Sequence, residues 1–242
     1  MFLKSIHSRY PDQSKKSRDY PFSIPTIYSF EDLEIHSPVT FFVGENGSGK
    51  STLLEAIADQ CRFNTAGGSQ NHQFDLQKSE SALGPYIKLS WMPKINQGFF
   101  LRAESFYHYA TYIDQLRADD PSFQPYDFSL HERSHGESFL ALSEKEFYKK
   151  GVYLLDEPEA ALSPSRQLAF IKILHHAITH FQAQFIIATH SPILLGFPEA
   201  QIINFDTVPI SPVRYEDTNH YAITKYFLSN KSQMLTELLK DE

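Results

Sequence analysis

Cysteine is almost missing from these 242 residues: Cys61 stands alone, so no disulfide can close within the chain, and a reducing compartment fits. Long apolar runs are missing as well. No stretch of 18 or more apolar residues occurs, so no transmembrane helix is expected. Met1–Ser8 is too short and too interrupted for the apolar core of a secretion signal. A cytoplasmic protein without membrane insertion is the expectation. Positive charge is in deficit, with 22 Lys and Arg against 29 Asp and Glu for a formal charge of −7, which argues against a broad electrostatic grip on nucleic acid. The local exception is the start of the chain, where Lys4, Arg9, Lys15, Lys16 and Arg18 face only Asp12; a solvated loop is the simpler reading. Internal repeats, low-complexity tracts and long heptad runs are also absent.

What is present is enough apolar material, 41% of residues, for one large α/β domain over residues 1–242, since a domain takes roughly 100–200 residues. Phe2–Ile6 alternates like a short strand, Ser8–Pro25 reads as a loop, and Val39–Val43 is a compact buried strand. Thr52–Gln60 has helical spacing, with Leu53, Leu54, Ile57 and Ala58 on one face. Asn64–Gly84, rich in Gly, Ser, Asn and Gln, reads as an irregular insertion before strands at Tyr86–Trp91 and Gly98–Leu101. Ala103–Arg117 is expected to be helical, with Phe106, Tyr109, Ile113 and Leu116 as a stripe that suits a core better than a base-stacking platform. Strands at Val152–Leu155 and Phe185–Ala188 flank a helix at Ser165–Phe181, the alternation of a mostly parallel sheet flanked by helices. Gln201–Phe205 adds a strand and Lys231–Lys240 a terminal helix.

The strand at Val39–Val43 runs straight into Gly44-Glu45-Asn46-Gly47-Ser48-Gly49-Lys50-Ser51, followed by Thr52 and its helix. This is G-x-x-x-x-G-K-[ST], in which small residues let successive backbone N–H groups wrap phosphate oxygens at a helix N-terminus. Lys50 then neutralises the β- and γ-phosphates, and the Ser51 hydroxyl ligates Mg²⁺. The apolar strand of Gly151-Val-Tyr-Leu-Leu ends in Asp156-Glu157-Pro158, at the sheet edge where ligand-handling groups collect. Asp156 suits the metal, and Glu157 the orientation and deprotonation of an attacking water. His190, in Thr189-His190-Ser191-Pro192, follows another such strand and is placed to sense the γ-phosphate. Ser163 and Pro164 are suited to cap and open the helix that follows.

His131-Glu132-Arg133-Ser134-His135 also fits the zinc pattern H-E-x-x-H, with Glu159 downstream. Gly136 directly after the second histidine weakens such a helix, so zinc is disfavoured. His176 and His180 share a helix face at i,i+4, and two histidines without a third ligand read as a solvated face.

In this order, the phosphate loop, Leu-Leu-Asp-Glu-Pro, Ala161-Leu162-Ser163 and Thr-His-Ser-Pro resemble the ATPase core shared by ABC transporters and the SMC and RecF repair proteins. That resemblance implies a P-loop NTPase of ABC type with a small helical subdomain, here 103–150, and it implies ATP and Mg²⁺ as cofactors. It also implies a signature segment of LSGGQ type, for which Arg133-Ser134-His135-Gly136-Glu137-Ser138 looks like a divergent copy. Ser134, Gly136 and Glu137 then complete a site on a second chain, giving an ATP-dependent head-to-tail homodimer around two nucleotides. Two departures stand out. Phe99-Phe-Leu-Arg102-Ala-Glu104-Ser105 occupies the place of the family's glutamine loop, so Glu104 becomes the candidate to reach the metal or its water. The chain also lacks the coiled-coil arm of SMC relatives. Small soluble bacterial proteins described as AAA-family ATPases share the opening Met-Phe-Leu-Lys-Ser, the Phe-Phe-Leu-Arg-Ala-Glu-Ser stretch and Ser-His-Gly-Glu-Ser, a likeness over nearly the whole chain. The alternatives are a weakly hydrolysing, nucleotide-gated module that recruits a nuclease, a toxin or DNA, and the motor subunit of a transporter with a separate permease.

Overall fold

In the computed structural model, the described residues are 1–9, 19–64, 81–104, 106–119 and 134–240. Lys15, Lys16, Arg18, most of the expected insertion, and His131, Glu132 and Arg133 lie outside them.

The apolar runs that lack alternation become the centre of a six-stranded sheet. Its strands are β3 (Val39–Val43), β5 (Gly98–Arg102), β6 (Val152–Asp156), β7 (Gln184–Ala188), β8 (Gln201–Asn204) and β9 (Ser211–Pro212), in the order β5-β6-β7-β3-β8-β9. All neighbours are parallel except the edge pair of β8 and β9. Every residue of β3, β6 and β7 is buried. The period of two therefore sorts side chains between two cores instead of between core and water. Phe41, Val43, Leu101, Tyr153, Leu155, Phe185 and Ile187 enter one core. Phe42, Phe100, Leu154, Ile186, Ala188 and Ile203 enter the other.

The first core is closed by α3 (Phe106–Asp119), α4 (His135–Phe147), α5 (Pro164–Phe181) and the short α6 (Pro192–Leu195). Phe106, Tyr109 and Ile113 are buried there, so the aromatic stripe is core. Phe106 packs on Phe139 of α4 at 5.5 Å between ring centroids, and Phe139 on Phe170 of α5 at 5.8 Å. The second core is covered by α2 (Lys50–Gln60) and by a three-stranded antiparallel sheet. That sheet consists of β1 (Leu3–Ser8), β2 (Asp32–Glu34) and β4 (Ile87–Trp91), in the order β2-β1-β4. A one-turn helix α1 (Pro25–Tyr28) leads into β2. Two helices close the chain, α7 (Asn219–Ser229) and α8 (Lys231–Leu238), and neither buries a residue.

Ser163 and Pro164 do open α5, but no hydrogen bond runs from the Ser163 hydroxyl to the helix backbone; it pairs with the Ser165 hydroxyl at 3.2 Å. His176 and His180 stack on the exposed face of α5 at 4.3 Å between ring centroids.

One buried amide ties the two sheets together. Gln184, 0% exposed at the start of β7, accepts at Oε1 from the N–H groups of Phe2 (2.7 Å) and Leu3 (2.9 Å), and its Nε2 donates to the Leu3 carbonyl (2.9 Å). Removing the amide strands three buried backbone groups, each costing about 1–3 kcal/mol when unmet, partly offset by relaxation. Gln184→Leu is therefore expected to lower stability by about 2–4 kcal/mol. Urea denaturation checks this through a reduced midpoint at unchanged slope; an unchanged midpoint would show that the contact contributes nothing.

Candidate nucleotide-binding site

The phosphate loop leaves β3 at Gly44 and enters α2 at Lys50. Its geometry demands glycine at two places. A Cβ on Gly44, at φ +149°, would lie 2.9 Å from Asp206 Oδ1. One on Gly49, at φ +102°, would lie 3.0 Å from Thr26 and Ile27 of α1, and both φ values belong to the region L side chains avoid. Asp206, just past β8, accepts from the Glu45 N–H at 2.7 Å, and the Thr26 hydroxyl donates to the Ser48 carbonyl. Glu45, Asn46 and Gly47 are exposed at the tip. Thr52, half-buried in the first turn of α2, meets the Tyr20 hydroxyl at 3.4 Å.

Lys50 is 4% exposed, and its Nζ donates to the carbonyls of Gly44 (2.6 Å) and Glu45 (2.9 Å). Burial pushes its pKa down, opposed by the carboxylates of Glu157, Asp156, Asp206 and Glu45. The Ser48 hydroxyl oxygen is buried without a partner among the described residues.

Opposite the loop stand the carboxyl ends of β6 and β7. The Ser51 hydroxyl donates to Asp156 Oδ1 at 3.0 Å, which places two hard oxygen donors side by side. Asp156 is buried, and its Oδ2 accepts from Arg102 Nε at 3.1 Å. Arg102 also pairs with Glu55 of α2. Burial alone would lower the Arg102 pKa, but Glu55 and Asp156 outweigh it and hold the guanidinium above its ordinary value. In the stretch where Glu104 was the expected metal contact, the residue joined to Asp156 is thus Arg102. Glu104 is exposed, two residues on.

Glu157 adopts a left-handed backbone, φ 51° and ψ 51°, directly after β6. Such strain in a non-glycine residue costs on the order of 1 kcal/mol and concentrates at functional sites. Its N–H is held by the Ala188 carbonyl at 2.9 Å. Its carboxylate, 39% exposed, lies 3.3 Å from His190 Nε2. The backbone N–H of His190 donates to Glu159 Oε1 at 2.6 Å, and burial pushes the Glu159 pKa up. On its other side, His190 Nδ1 meets His220 Nε2 at 2.8 Å.

The fold thus brings together Lys50, Ser51, Asp156, Glu157 and His190. Ser134, Gly136 and Glu137 lie elsewhere, at the N-terminus of α4. Ser134 caps that helix in a reciprocal box with Glu137, and Arg166 of α5 donates to both Ser134 Oγ and Glu137 Oε1 at 3.0 Å. A Cβ on Gly136 would fall 2.7 Å from Arg166 and 2.9 Å from the Ala161 carbonyl. Of the zinc pattern, His135 meets Phe106 in a T-shaped contact at 5.0 Å between ring centroids, and one Glu159 oxygen accepts from the His190 N–H. Asp206 and His220 were not read from the sequence. Asp206 follows a strand at the same sheet edge as Asp156, and that rule would have found it. His220 carries no such signal.

A family model described as an AAA domain matches residues 25–117. A second AAA-domain model, whose description associates it with an AbiEii toxin of Type IV TA systems, matches residues 138–196. Translation initiation factor RLI1 of Saccharomyces cerevisiae is 24% identical over 209 residues, covering 83% of this chain and 31% of that protein. The chain therefore spans less than a third of that relative's length. Among solved structures, the SMC head domain from Thermotoga maritima is similar with a TM-score of 0.45 at 19% identity, over 88% of this chain and all 100% of that one. Stu0660 of Streptococcus thermophilus has a TM-score of 0.48 at 9% identity, over 88% and 76%. The first AAA-domain match contains the phosphate loop and Arg102; the second contains Asp156, Glu157 and His190. The two halves of one site thus fall within matches to two models that are both described as AAA domains.

Proposed function

We propose that the protein hydrolyses ATP, as a homodimer that closes head-to-tail around two MgATP. The observation that carries this reading is the meeting of the Lys50 loop with Asp156, Glu157 and His190 at the carboxyl ends of neighbouring strands. The residues fit the ligands. Ser48 offers an unpartnered buried hydroxyl inside a cradle that a side chain at Gly44 would fill, and Ser51 and Asp156 form a pair of oxygens suited to Mg²⁺. When bound, the metal neutralises charge building on the β- and γ-phosphate oxygens.

The chain's own groups do the rest. Lys50 holds the phosphates, and Glu157 orients water and accepts its proton as the water oxygen attacks the γ-phosphorus. The bond to the β–γ bridging oxygen breaks, and ADP leaves with phosphate. His190, beside Glu157, contacts the γ-phosphate. Glu104, exposed two residues past β5, is the carboxylate we assign to a metal-bound water.

The in-trans role belongs to Ser134, Gly136 and Glu137. Ser134 is exposed at the start of a 13-residue helix, whose positive end favours anions. Its side-chain contacts run to Arg166 and Glu137, and we assign this helix end to the nucleotide of a second copy. ATP closes the dimer only by as much as it binds the closed form better.

Glu157→Gln is expected to cut phosphate release by about 10²–10³-fold while ATP still binds, and to accumulate a dimer on gel filtration with MgATP. Turnover at the parental rate would remove Glu157 as the base. Tight ATP binding by the parent without turnover would favour a nucleotide-gated scaffold.

The dimer makes a second prediction. Lys50→Ala and Ser134→Arg each abolish turnover alone, yet mixing the two purified variants restores up to about a quarter of parental activity, because a mixed dimer rebuilds one intact composite site. A mixture as inactive as its components would place Ser134 outside the partner's site.

A further inference from the structure

His220 lies outside every motif the hydrolase reading uses, yet its side chain makes a hydrogen bond to the His190 ring, at 2.8 Å between His220 Nε2 and His190 Nδ1. We propose that His220, in the first turn of α7, is a positioning residue for His190: its Nε2–H donates to His190 Nδ1 and so keeps the His190 proton on Nε2, the nitrogen beside Glu157. The value of that proton to catalysis rests on the hydrolase reading above; the hydrogen-bond arrangement does not.

Two neutral imidazoles in contact must supply one donor and one acceptor. If His220 donates, His190 carries its proton on Nε2, 3.3 Å from the Glu157 carboxylate, and His220 Nδ1 is left with a lone pair. If His190 donates instead, its bare Nε2 lone pair faces an anion, and His220 Nδ1 carries a proton. That Nδ1 is buried and has no acceptor among the described residues; His190 Nε2 is likewise buried and makes no hydrogen bond among them, but it has the Glu157 carboxylate 3.3 Å away. A buried N–H without an acceptor is rarer in folded proteins than an unused lone pair. A nitrogen beside a carboxylate holds a proton better than one that faces no acceptor, which favours donation by His220. Burial and the neighbouring His190 also push the His220 pKa down, against the pull of Glu45 and Asp206, and Lys50 adds to the lowering. The ring stays neutral and retains its single proton for this bond.

The start of α7 is built to hold the ring in place. Thr218 caps the helix by accepting from the Tyr221 N–H at 3.4 Å, and donates to the Tyr215 carbonyl at 2.8 Å. The Tyr215 hydroxyl in turn donates to the Pro192 carbonyl at 2.9 Å, two residues beyond His190. The segment bearing His220 is thus fastened to the segment bearing His190, independently of the imidazole contact.

If His220 merely packed α7 against the core, any ring of similar size would serve. The test uses the full chain with His220→Phe and His220→Gln, whose amide N–H can still donate to His190 Nδ1. Phosphate release is followed against MgATP concentration, with melting temperature and ¹⁵N-histidine spectra alongside. His220→Phe is expected to lower kcat by at least about tenfold with KM within about twofold, since a misplaced proton harms the chemical step more than binding. His220→Gln is expected to recover most of that loss. The parental spectrum is expected to show His190 as the Nε2–H form, and the Phe variant a mixture. Parental kcat in the Phe variant at an unchanged melting temperature, or an Nδ1–H form of His190 in the parent, would overturn the proposal. Should both variants fail to fold, the parental tautomer decides it. A parent without turnover would sink the hydrolase reading and leave the tautomer test intact.

Discussion

A buried ammonium organises this molecule. Lys50 has left water almost entirely, and a charge in that position costs several kcal/mol unless hydrogen-bonded. The carbonyls of Gly44 and Glu45 meet it. Because a trans peptide points its N–H opposite to its C=O, turning those carbonyls inward turns the next amides outward. One of them, the Glu45 N–H, is taken by Asp206, so the first peptide of the loop is held at both ends. The loop needs the left-handed glycines to make that wrap, and it needs strands on both sides of β3 to supply its acidic frame. Asp206 comes past β8 on one side, and the carboxylates past β6 lie beyond β7 on the other.

The two-sided burial of the sheet explains why chemistry gathers at its end. With β3, β6 and β7 buried throughout, a polar side chain along them must be satisfied internally or lie at a terminus. β7 shows both outcomes. At its start, Gln184 spends its amide on the backbone of Phe2 and Leu3 and so joins the antiparallel sheet to the parallel one. Past its end, His190 is fixed by its own backbone N–H on Glu159 and by its ring on His220. The first arrangement stabilises the scaffold; the second aims a side chain into the site the scaffold frames.

The same physics decided what could be read beforehand. β3 was legible to the residue because a continuous apolar run meets a glycine-bearing phosphate motif, and the helix after it has a one-sided apolar face that matches α2. Asp156, Glu157 and His190 were legible because each ends an apolar strand. β2 is only three residues long and α7 buries nothing, so neither leaves a periodic apolar signal. His220 joins the site through a contact spanning 30 residues of sequence, and Arg102, given no role from the sequence, meets Asp156 because strand register sets it directly beside that residue. A pattern search sees neighbours along the chain, whereas register decides neighbours across the sheet.

Charge supplies the remaining argument. Around the phosphate loop, Lys50 and Arg102 face Glu45, Glu55, Asp156, Glu157 and Asp206, so among these described residues two cations stand against five carboxylates. Arg102 is spent on Glu55 and Asp156, and Lys50 already serves the loop carbonyls. A triphosphate entering this field brings further negative charge that these side chains do not balance. A divalent cation at Ser51 and Asp156 offsets part of the excess. The outward amides of the loop offset another part. A second anion-favouring helix end, of the kind Ser134 caps on α4, would offset more, and in the proposed dimer it comes from the partner chain. The acidity of the site thus ties nucleotide binding to the metal, and in the dimer reading to closure as well. In that reading, an open single chain would leave the γ-phosphate short of positive charge on the side where the partner's helix end docks.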